Sequence, residues 1–150
     1  GTTVQAVAQQ FTQGSITSTD NSLDLAINGS GFFQVADAGG EVKYTRNGQF
    51  KLDKDGFLLE LEDWSPVIAS ALAQREQLEL SAEHWEILHL LRAFYSEFQL
   101  SPANRPLVKY VAQKLGPEKG NSMHLNRLFK GTPAKLAAKL AGLPKPTNCL

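Results

Sequence analysis

The chain has 150 residues, of which 42% are hydrophobic, and its 15 basic and 15 acidic residues give a formal net charge of zero. This length and composition are enough for one buried core, or for one domain with an appendage. The sequence contains neither the run of roughly 20 apolar residues that a membrane-spanning helix needs nor a signal-peptide pattern, so we expect a cytoplasmic protein without a membrane partner.

The first 60 residues have the composition of short strands and turns. Glycine, serine, threonine, asparagine and aspartate separate short stretches in which apolar and polar residues alternate. Asn47-Gly48 and Asp55-Gly56 are the strongest turn signals, because both central positions of a type I′ turn need a positive φ. We predict strands at residues 23–27, 32–35, 41–46, 49–53 and 57–60.

After residue 63 the pattern becomes helical, and the first two helices carry start signals. Ser65-Pro66 supplies an N-cap and a first-turn proline for a helix that ends near Gln77. Its predicted buried face consists of Val67, Ile68, Ala71 and Leu72. Ser81 caps the longest predicted helix, at residues 82–98, whose apolar stripe consists of Trp85, Leu88, Leu91, Tyr95 and Phe98. Such stripes are typical of a protein core rather than of a cofactor pocket.

Three more helices are predicted in the last third of the chain. The first opens at Ser101-Pro102 and ends at Leu115. Alternatively it begins only after Asn104, because Pro106 should push Arg105 out of the α region. The other two are predicted at residues 123–129 and 132–141, and a C-terminal arm follows Gly142.

Charge is distributed unevenly along the chain. Residues 1–100 carry six basic and fourteen acidic residues, whereas residues 101–150 carry nine basic residues and only Glu118 as an acidic one. The C-terminal third is therefore a basic surface, which is either a solvated face or a site of attraction to an acidic partner or to RNA. A nucleic-acid-binding role has no aromatic stacking platform or base-reading motif to support it.

The arm carries the single cysteine, Cys149, one position from the end of the sequence. Pro144 and Pro146 fix φ, remove backbone donors and favour an extended, semi-stiff tether. One cysteine excludes an internal disulfide framework and a multi-cysteine zinc site, and the scattered histidines do not form a ligand set, so we expect no metal ion or cofactor. Two interpretations remain: a sulfur-carrying arm, or a leftover cysteine in a frayed tail.

From about residue 47 to residue 150, the sequence resembles the TusE and DsrC family of sulfur-relay proteins. The matching segments are Asp55-Gly-Phe-Leu58, Glu62-Asp-Trp64-Ser, Glu83-His-Trp-Glu86, Ser101-Pro-Ala-Asn-Arg105, Leu115-Gly-Pro-Glu-Lys-Gly-Asn-Ser122, Arg127-Leu-Phe129, Pro133-Ala-Lys135 and Ala141-Gly-Leu-Pro-Lys-Pro146. The resemblance implies an α+β fold, with an N-terminal β-hairpin, a mainly helical bundle and a flexible C-terminal arm. It also implies that Cys149 accepts sulfane sulfur as a persulfide.

One departure from the family pattern favours a single-thiol role. DsrC proteins of dissimilatory sulfur metabolism have a second cysteine eleven residues before the penultimate one, and Ala138 occupies that position here. The resemblance therefore implies a TusE-like carrier, a transferase component rather than a self-sufficient enzyme. Its partners would be a TusBCD-like donor complex and an MnmA-like tRNA thiolase, alone or with tRNA bound, that makes 2-thiouridine. Four basic residues either favour the thiolate of Cys149 or only solubilise the surface, and they are Lys145, Arg127, Lys135 and Lys139.

Residues 13–56 resemble an unrelated class, the flagellar hook and rod proteins of the FlgE and FlgG type. The resemblance rests on residues 13–35, on Tyr44-Thr-Arg-Asn-Gly48 and on Phe50-Lys-Leu-Asp-Lys-Asp-Gly56. It implies a fusion with a hook-like β segment at residues 1–46 and a TusE-like domain at residues 47–150. The alternative function is therefore that of a structural hook or rod fragment, which leaves the arm without a role.

Overall fold

A computed structural model describes residues 1–8, 12–20, 24–29, 31–36, 42–45 and 48–147. Two strands, β1 (Phe33–Ala36) and β2 (Val42–Thr45), form an antiparallel pair in which Phe33 lies opposite Thr45. The predictions of strands at residues 32–35 and 41–46 are therefore close to the observed bounds, although residues 41 and 46 lie outside the described ranges. The described part of the strand predicted at residues 23–27 is not a strand.

A tight loop follows, in place of the two strands predicted at residues 49–53 and 57–60. Leu52 and Leu58 form an isolated antiparallel bridge, and the Asp53 amide donates to the Phe57 carbonyl at 2.8 Å. The Asp53 carboxylate also accepts from the Asp55 and Phe57 amides, at 2.8 and 2.9 Å. Gly56 has a φ of +87°, as the turn signal requires. The side chain of Asp53 thus fixes a hairpin tip at residues 53–57.

The first two helices begin where the capping signals place them. Helix α1 spans Pro66–Arg75, and the Ser65 hydroxyl accepts from the Ile68 amide at 3.3 Å. Helix α2 spans Ala82–Phe98 and begins with a capping box formed by Ser81 and His84. Two apolar positions were wrongly placed in the core, because Val67 is 56% exposed and Phe98 is 48% exposed.

The remaining helices are α3 (Asn104–Leu115), α4 (Ser122–Leu128) and α5 (Pro133–Leu140). Pro106 is the third residue of α3, where an amide would have no partner inside the helix, so the proline ring removes no hydrogen bond. Arg105 therefore remains helical, contrary to the prediction that Pro106 pushes it out of the α region.

Helix α5 lies at the centre of the bundle and packs against the other four helices. Four of its side chains are fully buried, and three of them are alanines, which let neighbouring helices approach closely: Ala134, Ala137, Ala138 and Leu140. The buried His84 ties α2 to α4, because its Nε2 lies 2.8 Å from the Leu128 carbonyl. The α+β fold class, a small hairpin followed by a helical bundle, is confirmed.

The first 20 residues contribute little to this core. Residues 1–8 and 12–20 are exposed, whereas Leu25 packs against the core cluster and Val35 is buried. The sequence predicts little stability from residues 1–40, and this packing restricts the prediction to residues 1–20. Deleting residues 1–20 should change the melting temperature by less than about 2 °C, because little apolar area is lost.

Differential scanning calorimetry of the shortened and full chains checks this prediction, with deletion of residues 1–36 as the comparison. The longer deletion removes β1 and the contact of Leu25, so we expect it to lower the melting temperature clearly. Equal melting temperatures for the two deletions, both well below that of the full chain, would contradict the prediction. This experiment also tests the proposed division into segments 1–46 and 47–150.

Candidate functional site

Cys149 lies outside the described residues, and the structure describes the arm as far as residue 147. Residues 141–146, called the arm root here, are packed on the helices rather than extended into solvent. Ala141 is fully buried, Leu143 is 2% exposed, and Pro146 is also buried. The expected flexible arm therefore does not begin at Gly142, because apolar side chains hold the chain to the core up to residue 146.

The end of α5 forms a Schellman motif that turns the chain toward the arm. The Gly142 amide donates to the Lys139 carbonyl at 3.1 Å, and the Leu143 amide donates to the Ala138 carbonyl at 2.9 Å. Gly142 has a φ of +70°. A β-carbon at this position would overlap Trp64, so glycine is required both by the backbone and by the neighbouring ring.

Two side chains from earlier in the sequence hold the last carbonyls of this turn. The Trp64 indole donates to the Leu140 carbonyl at 2.9 Å, and an Arg92 guanidinium nitrogen donates to the Ala141 carbonyl, also at 2.9 Å. The Arg92 guanidinium lies 4.1 Å from the Trp64 ring centroid in a cation–π contact. These bonds satisfy carbonyls that a helix end leaves without partners.

Two further contacts fix the arm root beyond Leu143. The Ser101 hydroxyl donates to the Pro144 carbonyl at 2.6 Å, and the Lys145 ammonium lies 3.6 Å from the Asp55 carboxylate. Ser101 precedes α3 and Asp55 belongs to the hairpin tip, so two separate parts of the fold hold the arm. The folded body therefore fixes the position of the arm root up to residue 146.

The structure places the four predicted supporting basic residues in different surroundings. Lys139 pairs with Glu76 at 2.9 Å, Arg127 with Glu83 at 3.6 Å, and Lys145 with Asp55. Lys135, which is half-buried, forms no ion pair with any residue that the structure describes. A paired cation exerts a weaker field at a distance than an unpaired one. Of the four, Lys135 is thus the one whose charge is least compensated.

Lys139 and Lys145 each contact the hairpin tip. The sequence did not connect this tip with the arm. The Lys139 ammonium lies 5.3 Å from the Phe57 ring centroid, and a β-carbon on Gly56 would lie 3.6 Å from that ammonium. No sequence pattern pointed to Arg92 as a contact of the arm. Trp64 and Ser101 do stand in the segments that carry the family resemblance, but no local pattern assigns them to the arm.

The 3₁₀ turn Leu61–Asp63, just before Trp64, is acidic. Partial burial raises the pKa of the Asp63 carboxyl, and the like charges of Glu60 and Glu62 raise it further. A folded-state pKa above the unfolded value means that protonation favours the folded protein. The stability from this group is therefore present at low pH and lost as the pH rises through the folded-state pKa, so the ionised Asp63 gives no stability at neutral pH.

The indole bond of Trp64 allows a direct test of how the arm root is held. Trp64→Phe removes the donor to the Leu140 carbonyl and leaves that buried carbonyl unpaired, so we expect a loss of about 1–3 kcal/mol in the free energy of unfolding. Urea denaturation measures this loss. Trp85→Phe is the matched control, because Trp85 is only half-buried and stacks on His89, so its loss should stay below about 1 kcal/mol. Equal losses would contradict the assigned role of the indole bond.

Comparison with known sequences finds relatives among sulfurtransferases. The sulfurtransferase TusE of Salmonella choleraesuis (strain SC-B67) is 53% identical over 102 residues, which cover 68% of this chain and 94% of the relative. The sulfurtransferase TusE homolog of Haemophilus influenzae is 52% identical over 102 residues, with the same coverage. The resemblance of residues 13–56 to hook and rod proteins stays a prediction.

Solved structures show the same fold. The NMR structure of Allochromatium vinosum DsrC superposes with a TM-score of 0.62 at 44% identity, covering 79% of this chain and 100% of that chain. The crystal structure of the oxidized gamma-subunit of dissimilatory sulfite reductase (DsrC) from Archaeoglobus fulgidus gives a TM-score of 0.60 at 38% identity, covering 69% and 96%. The family model described as "DsrC like protein" matches residues 44–150. Over these residues, the chain belongs to the DsrC-like family.

Proposed function

We propose that this protein is a sulfur carrier that accepts sulfane sulfur on Cys149 and passes it to a tRNA thiolase. The observation that carries the proposal is the similarity to TusE sulfurtransferases, at 53% identity over nearly the whole length of the relative. The single thiol of the chain stands just beyond an arm root that the fold holds in place. No helix in the described ranges is long and apolar enough to cross a membrane.

The proposed chemistry is two thiol exchanges without net oxidation. The Cys149 thiolate attacks the outer sulfur of a donor cysteine persulfide, so a new S–S bond forms as the donor's own S–S bond breaks. The electron pair leaves on the donor sulfur, which takes up a proton. In the second exchange the acceptor thiolate attacks the same outer sulfur, and Cys149 leaves as a thiolate. Both steps depend on thiolate character, which nearby cations favour.

The arm root supports this role mechanically. A carrier must present its sulfur to two partners, and a thiol near the end of the sequence, beyond an anchored segment, can enter a partner's active site without unfolding the body. We propose a TusBCD-like complex as the donor and an MnmA-like thiolase as the acceptor, acting in the cytoplasm. Lys135 is the best candidate to stabilise the thiolate, because it has no carboxylate partner among the described residues.

Mass spectrometry of the intact protein tests the proposal. The full chain is incubated with a cysteine desulfurase and cysteine, and we expect a gain of one sulfur atom that a reductant removes. The matched control omits cysteine, and a second control blocks the thiol by alkylation before incubation. A chain that gains no sulfur, either from the loaded desulfurase or from a persulfide-loaded TusBCD-like complex, would overturn the carrier function.

A further inference from the structure

The basic residues of the C-terminal third divide into two groups by their partners. Within the described part of the chain, four of them pair with carboxylates: Lys119, Arg127, Lys139 and Lys145. Lys130 donates instead to the carbonyls of Glu76 and Gln77, at 2.6 and 3.0 Å. The remaining basic residues form no ion pair with a described residue, and they are Arg105, Lys109, Lys114 and Lys135.

Two of these cations border a groove between α3 and α4. The groove has a volume of about 230 Å³ and is lined by Asn104, Arg105, Val108, Lys109 and Ser122. Arg105 and Lys109 are one helical turn apart, so they lie in a row along its edge. The Asn104 side chain accepts from the Ala134 amide at 3.0 Å, which places the first turn of α5, with Lys135, next to the groove.

Stability of α3 alone does not explain this arrangement. Helix α3 contains three basic residues and no acidic one. Arg105 lies in its first turn, where the helix dipole disfavours a positive charge, and the first turn contains no acidic side chain to compensate for it. A charged residue that disfavours its own helix, with no contact that compensates for the cost, is expected at a functional position.

We propose that this groove binds the phosphodiester backbone of an RNA strand, through Arg105 and Lys109. This inference rests on the proposed function, in which the acceptor enzyme works on tRNA. The arginine guanidinium can hold a phosphate with two parallel hydrogen bonds, and the lysine ammonium can contact the next phosphate as a point charge. The Ser122 hydroxyl and the Asn104 amide add neutral donors at the groove wall.

The composition of the surface favours RNA over an acidic protein. Protein interfaces have an apolar, often aromatic centre and are depleted of lysine. Among the described residues, none of the large hydrophobic side chains that are exposed lines the groove, and its one apolar lining residue, Val108, is half-buried. Two cations without ion-pair partners, beside Asn104, Ser122 and one half-buried valine with no aromatic residue, instead match a backbone contact that does not read bases.

Fluorescence anisotropy with a labelled, unmodified tRNA transcript and the full chain tests the proposal. The double variant Arg105→Gln/Lys109→Gln should weaken binding about tenfold or more at low salt, and the slope of log affinity against log salt should fall by about 1.5 to 2. Lys51→Gln/Lys54→Gln is the matched control, because it removes the same charge from exposed positions outside the groove. It should leave the slope unchanged.

Three results would overturn the RNA site. The first is no binding of tRNA by the parent chain at low salt, and the second is equal weakening of binding by both double variants. The third is that the groove binds an acidic protein instead of tRNA. Circular dichroism and melting temperature show that the groove variant is folded. Sulfur loading of Cys149 is measured on the same samples and should be equal in all of them. Failure of the RNA site is therefore distinguishable from failure of the carrier function, which would appear as a parent chain that gains no sulfur.

Discussion

Cys149→Ser is expected to abolish sulfur loading completely while the fold remains intact. No other residue of the chain can form a persulfide, because Cys149 is its single cysteine. The helical signal and melting temperature should stay unchanged, since the contacts described for the arm root are made by residues before position 147. Intact mass after incubation with a desulfurase and cysteine measures loading, and calorimetry measures the melting temperature.

The position of the thiol can be separated from its presence. In the Cys149→Ser background, Thr147→Cys restores one thiol two residues nearer to the arm root. We expect this variant to regain loading from a small persulfide donor but to transfer sulfur to a protein acceptor more slowly, because the thiol reaches less far. A Cys149→Ser chain that still gains sulfur would refute the assignment of the carrier residue.

Gly142→Ala is expected to cause a large loss of stability for so small a change, about 2–4 kcal/mol in the free energy of unfolding. Two costs add at this position. A residue with a side chain is strained at a φ of +70°, and its β-carbon would overlap the Trp64 ring. Trp64 cannot move away cheaply, because it is buried and held by its bond to Leu140 and by Arg92.

Gly131→Ala separates these two costs. Gly131 has a similar φ of +80°, but a β-carbon there would meet no atom within 4 Å, so only the backbone strain of about 1–2 kcal/mol is expected. Urea denaturation of both variants gives the difference. Equal losses would show that Trp64 moves aside and that packing around the arm root is loose.

The starts of the first two helices were predictable because their capping signals are local. Ser65-Pro66 and Ser81 cap α1 and α2 at the predicted positions, and the long apolar stripe of α2 gave its length. The errors at Val67 and Phe98 arise because periodicity shows that a helix has an apolar face but not where that face ends. The two strands predicted beyond residue 48 were too long. The turn signal at Asp55-Gly56 was correct, but the chain on either side of it forms only the bridge between Leu52 and Leu58.

The way the arm is held was not predictable from the sequence. Its contacts join residues far apart in the chain, such as Trp64 with Leu140 and Ser101 with Pro144. No helical or strand period connects such positions, so only the packed bundle reveals that the arm root is fixed. The prolines suggested a stiff tether, whereas the structure shows that burial of Leu143 and Pro146 adds the stronger restraint.

An anchor that extends to Pro146 limits how far the thiol can travel. Cys149 follows Pro146 by three residues, and an extended chain spans at most about 3.6 Å per residue, so the Cα atom of Cys149 stays within about 11 Å of that of Pro146. Under the proposed function, a donor or acceptor must therefore bring its own reacting cysteine close to the body of this protein. Shape complementarity around the base of the arm, more than the length of the arm, would then decide which partners exchange sulfur with it.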